Sequence, residues 1–585
     1  MLYNLRRQLN NEEKTKFGGI SDIVAHLLFH RGISDIETAN KFISPDYESG
    51  VHDPFLLKDA EKSASRIIKA IENNERIAIY ADYDADGIPG AAMMDGFLKK
   101  IGFKNYSIYI PHRHDEGFGL NLEAVEQLVS ENVKLLITID CGITDTTPVK
   151  RANELGIEVI ITDHHEPPPV LPEAFAIIDH KQIDCNYPDK NICGSGVAFK
   201  LIQAILKKNR FGLKEGHEKW FLDLVGIATL SDMVPLIGEN RIFAHYGLKV
   251  LRKSPRKGIM QLLRKLKIDQ RYLTEDDITF MITPRINAAS RMGMPIDAFK
   301  LLSADNDNDA YICAEHLDKI NNERKGVVAS LVKEVKKIIH ERHGSVMPNV
   351  IVLGNPLWRP ALLGLVANSC AEEFNRPVFL WGRDGGDVIK GSCRSEGKTN
   401  IVELMRAVPS DLFVQFGGHH HSGGFEVSNE QIHYLEMRLC EACKTIKLRQ
   451  LTDNNSTISV DGEQLDNVED FIDAEISLDE INSKFHADLN QLAPFGVGNP
   501  KPVFLFRKVV PSTVRKFGKG NDHVEIMFNK SNGEKLSAIS FFGGASEWMK
   551  QIQVNKPVDL VASLDKSIYR GRAELRLRVV DIFLA

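Results

Sequence analysis

The sequence predicts an α/β multidomain protein: a parallel-sheet domain, a long connecting helix, a second α/β domain and a C-terminal β-barrel. Three observations carry that expectation. Between Arg76 and Thr162, short apolar runs alternate with helical stretches, the pattern of a parallel sheet with crossover helices. Between Ala298 and His343, apolar residues recur every three or four positions in a charged stretch, as a long helix requires. From Lys501 to Ala585, five short strand-like runs follow in quick succession.

The first 50 residues read as small helices and loops without recognisable chemistry. RIAIYA (76–81), YSIYI (106–110), KLLITI (134–139) and the run ending in EVIIT (157–162) are of strand length. Their lack of polar positions suits strands covered on both faces. The stretch to His343 reads as one helix joining two bodies, with Leu317, Ile320, Val327, Val328, Leu331 and Val335 along its apolar stripe. Another strand–helix unit starts at VIVLG (350–354), and the polar LTDNNSTIS (451–459) reads as a linker. PVFLFRKVV, HVEIMF, KLSAISFF, PVDLVASL and AELRLRVVDIF supply five strands, with SEWMKQI as a helix between the third and fourth, the arrangement of an OB-type barrel. The expected units are an N-terminal helical segment (1–50), the parallel-sheet domain (51–300), the connecting helix (301–345), the second α/β domain (346–450), and linker plus barrel (451–585).

Composition sets limits. The 585 residues carry 73 Lys+Arg and 79 Asp+Glu, a net charge of −6, with 43% hydrophobic and 26% charged residues. That is ordinary globular usage, neither disordered nor basic throughout. No apolar run approaches the ~20 residues of a membrane span, and MLYNLRRQLNNEEK lacks the apolar region of a secretory signal. Eight irregularly spaced cysteines fit reduced thiols in the cytoplasm better than a disulfide framework. The charge is uneven, however. Lys501–Ala585 hold 15 Lys+Arg against 8 Asp+Glu, net +7, which leaves −13 on the preceding 500 residues. A basic module on an acidic body suggests a polyanion partner; a solvated charged face is the plainer alternative. Phe506, Phe517, Phe528 and Tyr569 in that module either stack on bases or fill the barrel.

The chemistry lies where the strands stop. The first runs into Asp82-Tyr83-Asp84-Ala85-Asp86-Gly87, the third ends at Asp140-Cys141-Gly142, and the fourth at Asp163-His164-His165. Ligands of open α/β sheets bind beyond the carboxyl ends of the strands. Asp232 follows an apolar helix in GIATLSDMVPL (226–236). A lone acid at a strand end is usually a turn or cap residue, but four such motifs together point to a site. Crowded carboxylates repel and take up protons unless a cation sits among them. Oxygen donors with one or two imidazoles suit Mn²⁺ or Mg²⁺, and a pair of ions ~3.5–4 Å apart serves in-line displacement at phosphorus.

These motifs resemble the DHH phosphoesterase superfamily, and within it the single-strand-specific exonucleases, over nearly the whole chain. Supporting segments are YIPHRHDEGFGL (109–120), CGSGVAFKL (193–201), PRINAASRMG (284–293), LDKINNER (317–324), GSCRS (391–395), FGGHHHSGG (416–424), PFGVGNPKPVF (494–504) and YRGRAELRLRVVDI (569–582). The resemblance implies a DHH domain, a connecting helix, a DHHA1 domain and an OB-fold. It implies Asp84, Asp86, Asp140, His164 and Asp232 as ligands of two Mn²⁺ or Mg²⁺ ions. Asp82 and His165 would stand beside them as further ligands or contacts to water and phosphate, and Asp163 would orient an imidazole. Arg113, Arg291, Ser392, Arg394 and His419 would contact phosphate or nucleic acid. The implied activity is 5′-to-3′ hydrolysis of single-stranded DNA in repair and recombination, by a cytoplasmic monomer working with a single-strand-binding protein and a helicase.

Several positions depart from the family pattern: Pro89 replaces a small hydroxyl residue, Thr283 and Ser290 replace glycines, and Arg359 replaces a histidine. His420 and His421 fall in an altered segment and take no role. Cys440 and Cys443, a lone CxxC on a helical stretch, favour core packing over zinc. Two other functions compete: a phosphodiesterase for short oligoribonucleotides or cyclic dinucleotides, which would not need the basic module, and a non-catalytic DNA-binding scaffold, which would have lost ligands.

Overall fold

The computed structural model describes residues 3–344, 346–383, 388–397, 399–453, 471–518, 520–541, 543–569 and 572–584. The first domain is built on five parallel strands, β1 (Ile77–Ala81), β2 (Tyr106–Tyr109), β3 (Leu135–Ile139), β4 (Glu158–Thr162) and β5 (Ala176–Ile178), in the order β2-β1-β3-β4-β5. Side chains alternate between two cores. Ile77, Ile79 and Ala81 pack with helices α1 (Gly87–Lys100) and α2 (Gly194–Lys208), whereas Ala78 and Tyr80 pack with the helices Leu122–Ser130 and Thr146–Glu154. With both faces covered, every residue of β1 and β3 is buried. β5 was not expected; its three residues, AII, are too few to stand out in the sequence.

The helix expected over 298–343 is two helices, Ile296–Ser303 and α4 (Asp307–His343). Asn306 leaves helical geometry (φ −130°, ψ 160°) and caps α4 by accepting from Asp309 N at 2.9 Å. α4 has 37 residues, a span of about 55 Å at about 1.5 Å per residue. Ala314 and Leu317 enter the core of the first domain, and Leu331, Val335 and Ile339 enter that of the second.

The second domain has strands β6 (Ile351–Gly354), β7 (Val378–Gly382), β8 (Ile389–Arg394), β9 (Gln415–His419) and β10 (Ser422–Val427), in the order β9-β10-β8-β7-β6; only β6 and β7 pair in parallel. Helix α5 (Pro360–Phe374) lies on one face. The helices Ile401–Arg406 and Leu435–Asp453 lie on the other, where Cys443 is core and Cys440 Sγ sits 3.5 Å from Val350 O. Of the expected linker, residues 451–453 finish that helix and the rest lie outside the described residues.

The C-terminal sheet has seven strands: β11 (Ala474–Glu475), β12 (Val503–Val509), β13 (Pro511–Phe517), β14 (His523–Asn529), β15 (Lys535–Ser540), β16 (Val558–Tyr569) and β17 (Arg572–Leu584), in the order β11-β12-β16-β17-β15-β14-β13. Five are the expected runs, with the helix Glu547–Gln551 between β15 and β16 as anticipated. β11 and β13 are additions. Phe506 and Phe528 are fully buried, which corrects the stacking alternative for both: they fill the core. Phe517 is half-buried, and the Tyr569 side chain lies outside the described residues. The N-terminal segment belongs with this sheet. Its helices Asn11–Thr15, Asp22–Phe29 and Ile36–Ile43 bring Phe17, Val24, Leu27, Leu28 and Ala39 into the same core, and Asn4–Leu5 pairs in parallel with Phe471–Ile472. Arg31 fastens the union through Nε to Asn499 Oδ1 and Nη2 to Pro500 O, both at 2.8 Å.

Candidate metal centre and phosphate pocket

Parallel strands bring their carboxyl ends to one edge. The register sets Ala81 beside Ile139, Ile139 beside Thr162, and Thr162 beside Ile178. The next residues out, Asp82, Asp140, Asp163 and Asp179, therefore form a row. Their amides continue the ladder: Asp82 N donates to Ile139 O at 3.1 Å, Asp140 N to Thr162 O at 2.9 Å, and Asp163 N to Ile178 O at 3.1 Å. Asp179 is the member that sequence reasoning missed. Its signal was AIID, an apolar run ended by an acid, like IYAD, TID and ITD.

Around this row the loops are tightly held. Asp84 Oδ1 accepts from Asp86 N at 2.7 Å and Gly87 N at 3.2 Å, closing the turn into α1. Ala85 N donates to Asn287 Oδ1 at 2.9 Å, so Asn287, which sequence reasoning passed over within its PRINAASR motif, steadies the turn. Pro89 sits buried in the first turns of α1 without breaking it. The Asp86 carboxylate receives Gly194 N and Ser195 N, both at 2.7 Å, at the start of α2, where the helix dipole favours an anion. Gly194 is needed for close approach: a Cβ there would lie 2.4 Å from Asp140 Oδ1. Asp140 itself has φ 63°, uncommon for a non-glycine residue. His164 Nε2 lies 3.2 Å from Asp140 Oδ1, 3.8 Å from Asp232 Oδ2 and 3.9 Å from Asp86 Oδ2. Asp232 stands at the C-terminus of α3 (Leu222–Ser231). Asp163 faces inward. Its Oδ2 accepts from Ile143 N at 2.9 Å, and its Oδ1 accepts from His164 N and contacts His165 Nδ1, both at 2.7 Å.

Burial and the neighbouring charges push Asp82, Asp140 and Asp232 well above the usual carboxylate range and Asp86 up to about 6. Burial, with His165 beside it, holds His164 far below its ordinary value, so its ring is neutral. For His165 burial opposes protonation, but the hydrogen bond and charge of Asp163 outweigh it and raise the ring to about 9. Asp82 Oδ1 and Asp140 Oδ1 are buried and accept no hydrogen bond; the 3.2 Å contact of Asp140 with His164 is not aligned as one. Buried oxygens without donors are costly. Three groups of ligand atoms each fall within 4.8 Å: Asp140, His164 and His165; Asp86, His164 and Asp232; Asp82, Asp84 and Asp140. His164 and Asp140 belong to two groups each, an arrangement that fits two ions with common ligands. Cys141 and Cys193 are near, but burial pushes both thiols up, so no thiolate competes. The donor set is one for a hard divalent cation.

Cations collect on the second domain's side. Arg113 lies over the Tyr83 ring at 4.8 Å. Arg291 Nη1 donates to Ala361 O at 2.8 Å, reaching from the first domain to the first turn of α5. Arg394 Nη1 donates to Cys393 O at 2.7 Å, and its Nη2 presses against α5 where a Cβ on Gly364 would come within 2.7 Å. Ser392, half-buried, stands two residues before it on the same face of β8. Burial, then the charges of Arg113, Arg324 and Arg394, push Arg291 down to about 9. Among the described residues, Arg113, Arg291 and Arg394 form no ion pair with a carboxylate. Crowded guanidinium groups without an anion make a site for one. His419 pairs through its backbone with Ser422, and its side chain lies outside the described residues. His420 O and His421 O accept from Ile401 N and Ser395 N, a structural use of the hairpin between β9 and β10. Arg359 stands at the N-cap of α5.

Comparison with known proteins gives three family matches: the DHH family N-terminal domain over residues 76–229, the DHHA1 domain over 347–447, and the RecJ OB domain over 472–581. The single-stranded-DNA-specific exonuclease RecJ of Bacillus subtilis is 33% identical over 568 residues, covering 96% of this chain and 68% of the relative. RecJ of Haemophilus influenzae is 30% identical over 541 residues, covering 90% and 91%. The crystal structure of RecJ from Thermus thermophilus in complex with Mn²⁺ has a TM-score of 0.78 at 24% identity, covering 99% of this chain and 79% of that one, a likeness of fold. A manganese-bound exonuclease RecJ has a TM-score of 0.57 at 30% identity, covering 66% and 95%.

Proposed function

We propose, from the premise that the chain belongs to the RecJ family of single-stranded-DNA-specific exonucleases, that it hydrolyses the phosphodiester bonds of single-stranded DNA from the 5′ end, in DNA repair and recombination. One observation carries the reading: three overlapping groups of ligand atoms, with buried oxygens lacking donors, stand near arginines that form no ion pair with a carboxylate among the described residues.

Asp84, Asp86, Asp140, His164 and Asp232 would hold two Mn²⁺ or Mg²⁺ ions, the cations in the solved Thermus relatives. Such a pair, when bound, activates water and neutralises phosphoryl oxygens. The chain supplies the rest. Asp163 fixes the His165 ring through Nδ1, which leaves Nε2 for water or a phosphoryl oxygen at the cluster. Asp82 Oδ1 accepts a hydrogen bond from the attacking water. Arg394, Ser392 and Arg291 bind a terminal 5′ phosphate, with Arg113 approaching across the cleft. Arginine suits this because its planar fork gives two hydrogen bonds to one phosphate. Hydrolysis at such a centre would be indifferent to strand direction, so the distance from this pocket to the cluster of carboxylates and imidazoles would set the polarity.

The basic C-terminal sheet holds the strand beyond the cleft. The reading extends to a cytoplasmic monomer acting beside a helicase and a single-strand-binding protein; eight free cysteines suit a reducing compartment. No helix of the described residues is long and apolar enough to cross a membrane. The test is degradation of 5′- and 3′-labelled single strands, duplex DNA and short RNA with Mn²⁺, Mg²⁺ or EDTA. Loss of label from the 5′ end of single strands only, abolished by EDTA, is expected. Preference for dinucleotides or short RNA would favour the small-substrate phosphodiesterase, and metal-bound protein inert on every substrate would favour the scaffold.

A further inference from the structure

The loop between β2 and the helix Leu122–Ser130 carries a ring that no core requires. Phe118 is 49% exposed and joins none of the buried clusters of the described residues. Yet it stands at the metal centre: its ring meets the His165 imidazole at 5.4 Å and 70°, and His165 meets His164 at 4.6 Å. The exposure is built in. Gly117 and Gly119 both have φ 82°, a conformation that side-chain-bearing residues adopt only with strain, so the chain turns sharply on either side of Phe118. The flanks are pinned. Tyr80 OH donates to Gly119 O at 2.7 Å, Leu120 N to Asp145 Oδ2 at 2.6 Å, and Tyr109 OH and His112 N to the two oxygens of Glu116 at 2.6 and 2.5 Å. A Cβ on Gly119 would come within 2.6 Å of Asp145, so even the backbone is fitted to its support.

We propose that Phe118 is the platform on which the nucleobase beside the scissile phosphate stacks. This rests on the exonuclease reading and adds the base to it. The same loop carries Arg113, so one rigid segment offers a guanidinium for phosphate and a ring for base. Every base presents a π-face, so the contact is independent of sequence, as an enzyme that digests any strand requires. A ring that only steadied His165 would need no exposed surface.

Two measurements test it. The first compares wild type, Phe118→Ala and Phe118→Tyr on single strands with an intact or an abasic nucleotide at the 5′-terminal and second positions. Base–aromatic stacking sets the scale, and Phe118→Ala is expected to raise KM about tenfold with kcat changed less than about twofold. The wild type is expected to bind the abasic strand more weakly. Phe118→Ala should lose that discrimination and Phe118→Tyr keep it. An abasic penalty of equal size in wild type and Phe118→Ala, or a fall in kcat at constant KM, overturns the proposal. The second measurement is quenching of 2-aminopurine at the same positions in EDTA, which needs no turnover. Wild type quenches and Phe118→Ala does not; absence of quenching in the wild type overturns the proposal. A wild type that quenches but hydrolyses no strand would refute the exonuclease reading and leave the stacking site standing.

Discussion

Gly194→Ala places a single methyl group against the metal centre. The added Cβ would lie 2.4 Å from Asp140 Oδ1, 2.6 Å from its Cβ and 2.7 Å from its Cγ. That is about 1 Å short of ordinary contact. Asp140 cannot withdraw freely, because its amide is tied to Thr162 O and its backbone is held at φ 63°. Nor can α2 retreat without breaking the bonds from Gly194 N and Ser195 N to Asp86. One carboxylate or the other must therefore move by about 1 Å, enough to cost about a hundredfold in rate. Disturbing the support of a metal site typically weakens metal affinity about 10–100-fold. Overpacking should also remove about 1–3 kcal/mol of stability. The assay is hydrolysis of a labelled single strand across a Mn²⁺ titration, beside thermal unfolding. Gly196→Ala is the matched control, two residues along the same helix, where a Cβ meets nothing closer than 3.6 Å. Unchanged Mn²⁺ dependence and rate in Gly194→Ala would refute the argument that the glycine is there for Asp140.

Four further outcomes are expected. Asp140→Asn should abolish hydrolysis while single-strand binding persists; appreciable turnover in Mn²⁺ would remove Asp140 from the metal set. Arg394→Ala should narrow the advantage of 5′-phosphorylated over 5′-hydroxyl strands, and a ratio equal to wild type would put the terminal pocket elsewhere. Phe541, just after β15, is 42% exposed with the Arg578 and Arg576 guanidinium groups at 5.5 and 6.0 Å from its ring, and offers a surface for stacking. Phe541→Ala should weaken binding of long strands by about 1–3 kcal/mol and leave cleavage of very short oligomers alone, as measured by fluorescence titration and single-turnover rates. Lys200 and Glu239 form an ion pair at 2.5 Å with both side chains fully buried, and Tyr187 OH also donates to Glu239. Lys200→Met strands the carboxylate and should cost about 3–5 kcal/mol in urea denaturation, and a loss below about 1 kcal/mol would mean the pair carries little.

What the sequence makes legible follows from range. Asp82, Asp140 and Asp163 each end an apolar run, so a strand and its chemistry are read from one short window. Asp179 obeys the same rule behind a strand too short to notice. β13 hides differently: PSTVRKF, at the edge of its sheet, buries only Pro511, leaves its other positions half-buried or exposed, and reads as loop. Asn306 splits a helix that apolar spacing alone would continue. Contacts between distant segments leave no local trace. Nothing in residues 11–43 indicates that Val24 and Leu27 belong with Phe504 and Phe528. Phe118 lay in view within EGFGL, but its meaning depends on His165, 47 positions away in the chain.

Joining residues 11–43 and the C-terminal sheet in one core ties folding to synthesis. Between Ile43 and Phe471 the ribosome adds about 430 residues, roughly 20–90 s at about 5–20 residues per second. Throughout that interval Val24, Leu27 and Leu28 have no sheet to cover them, while the parallel-sheet domain and its neighbour acquire cores of their own. These helices thus leave the exit tunnel long before the sheet that buries them. A chain stalled or clipped before β12 presents their apolar faces to chaperones and proteases, so quality control would detect loss of the C-terminal sheet at helices about 430 residues away in the sequence.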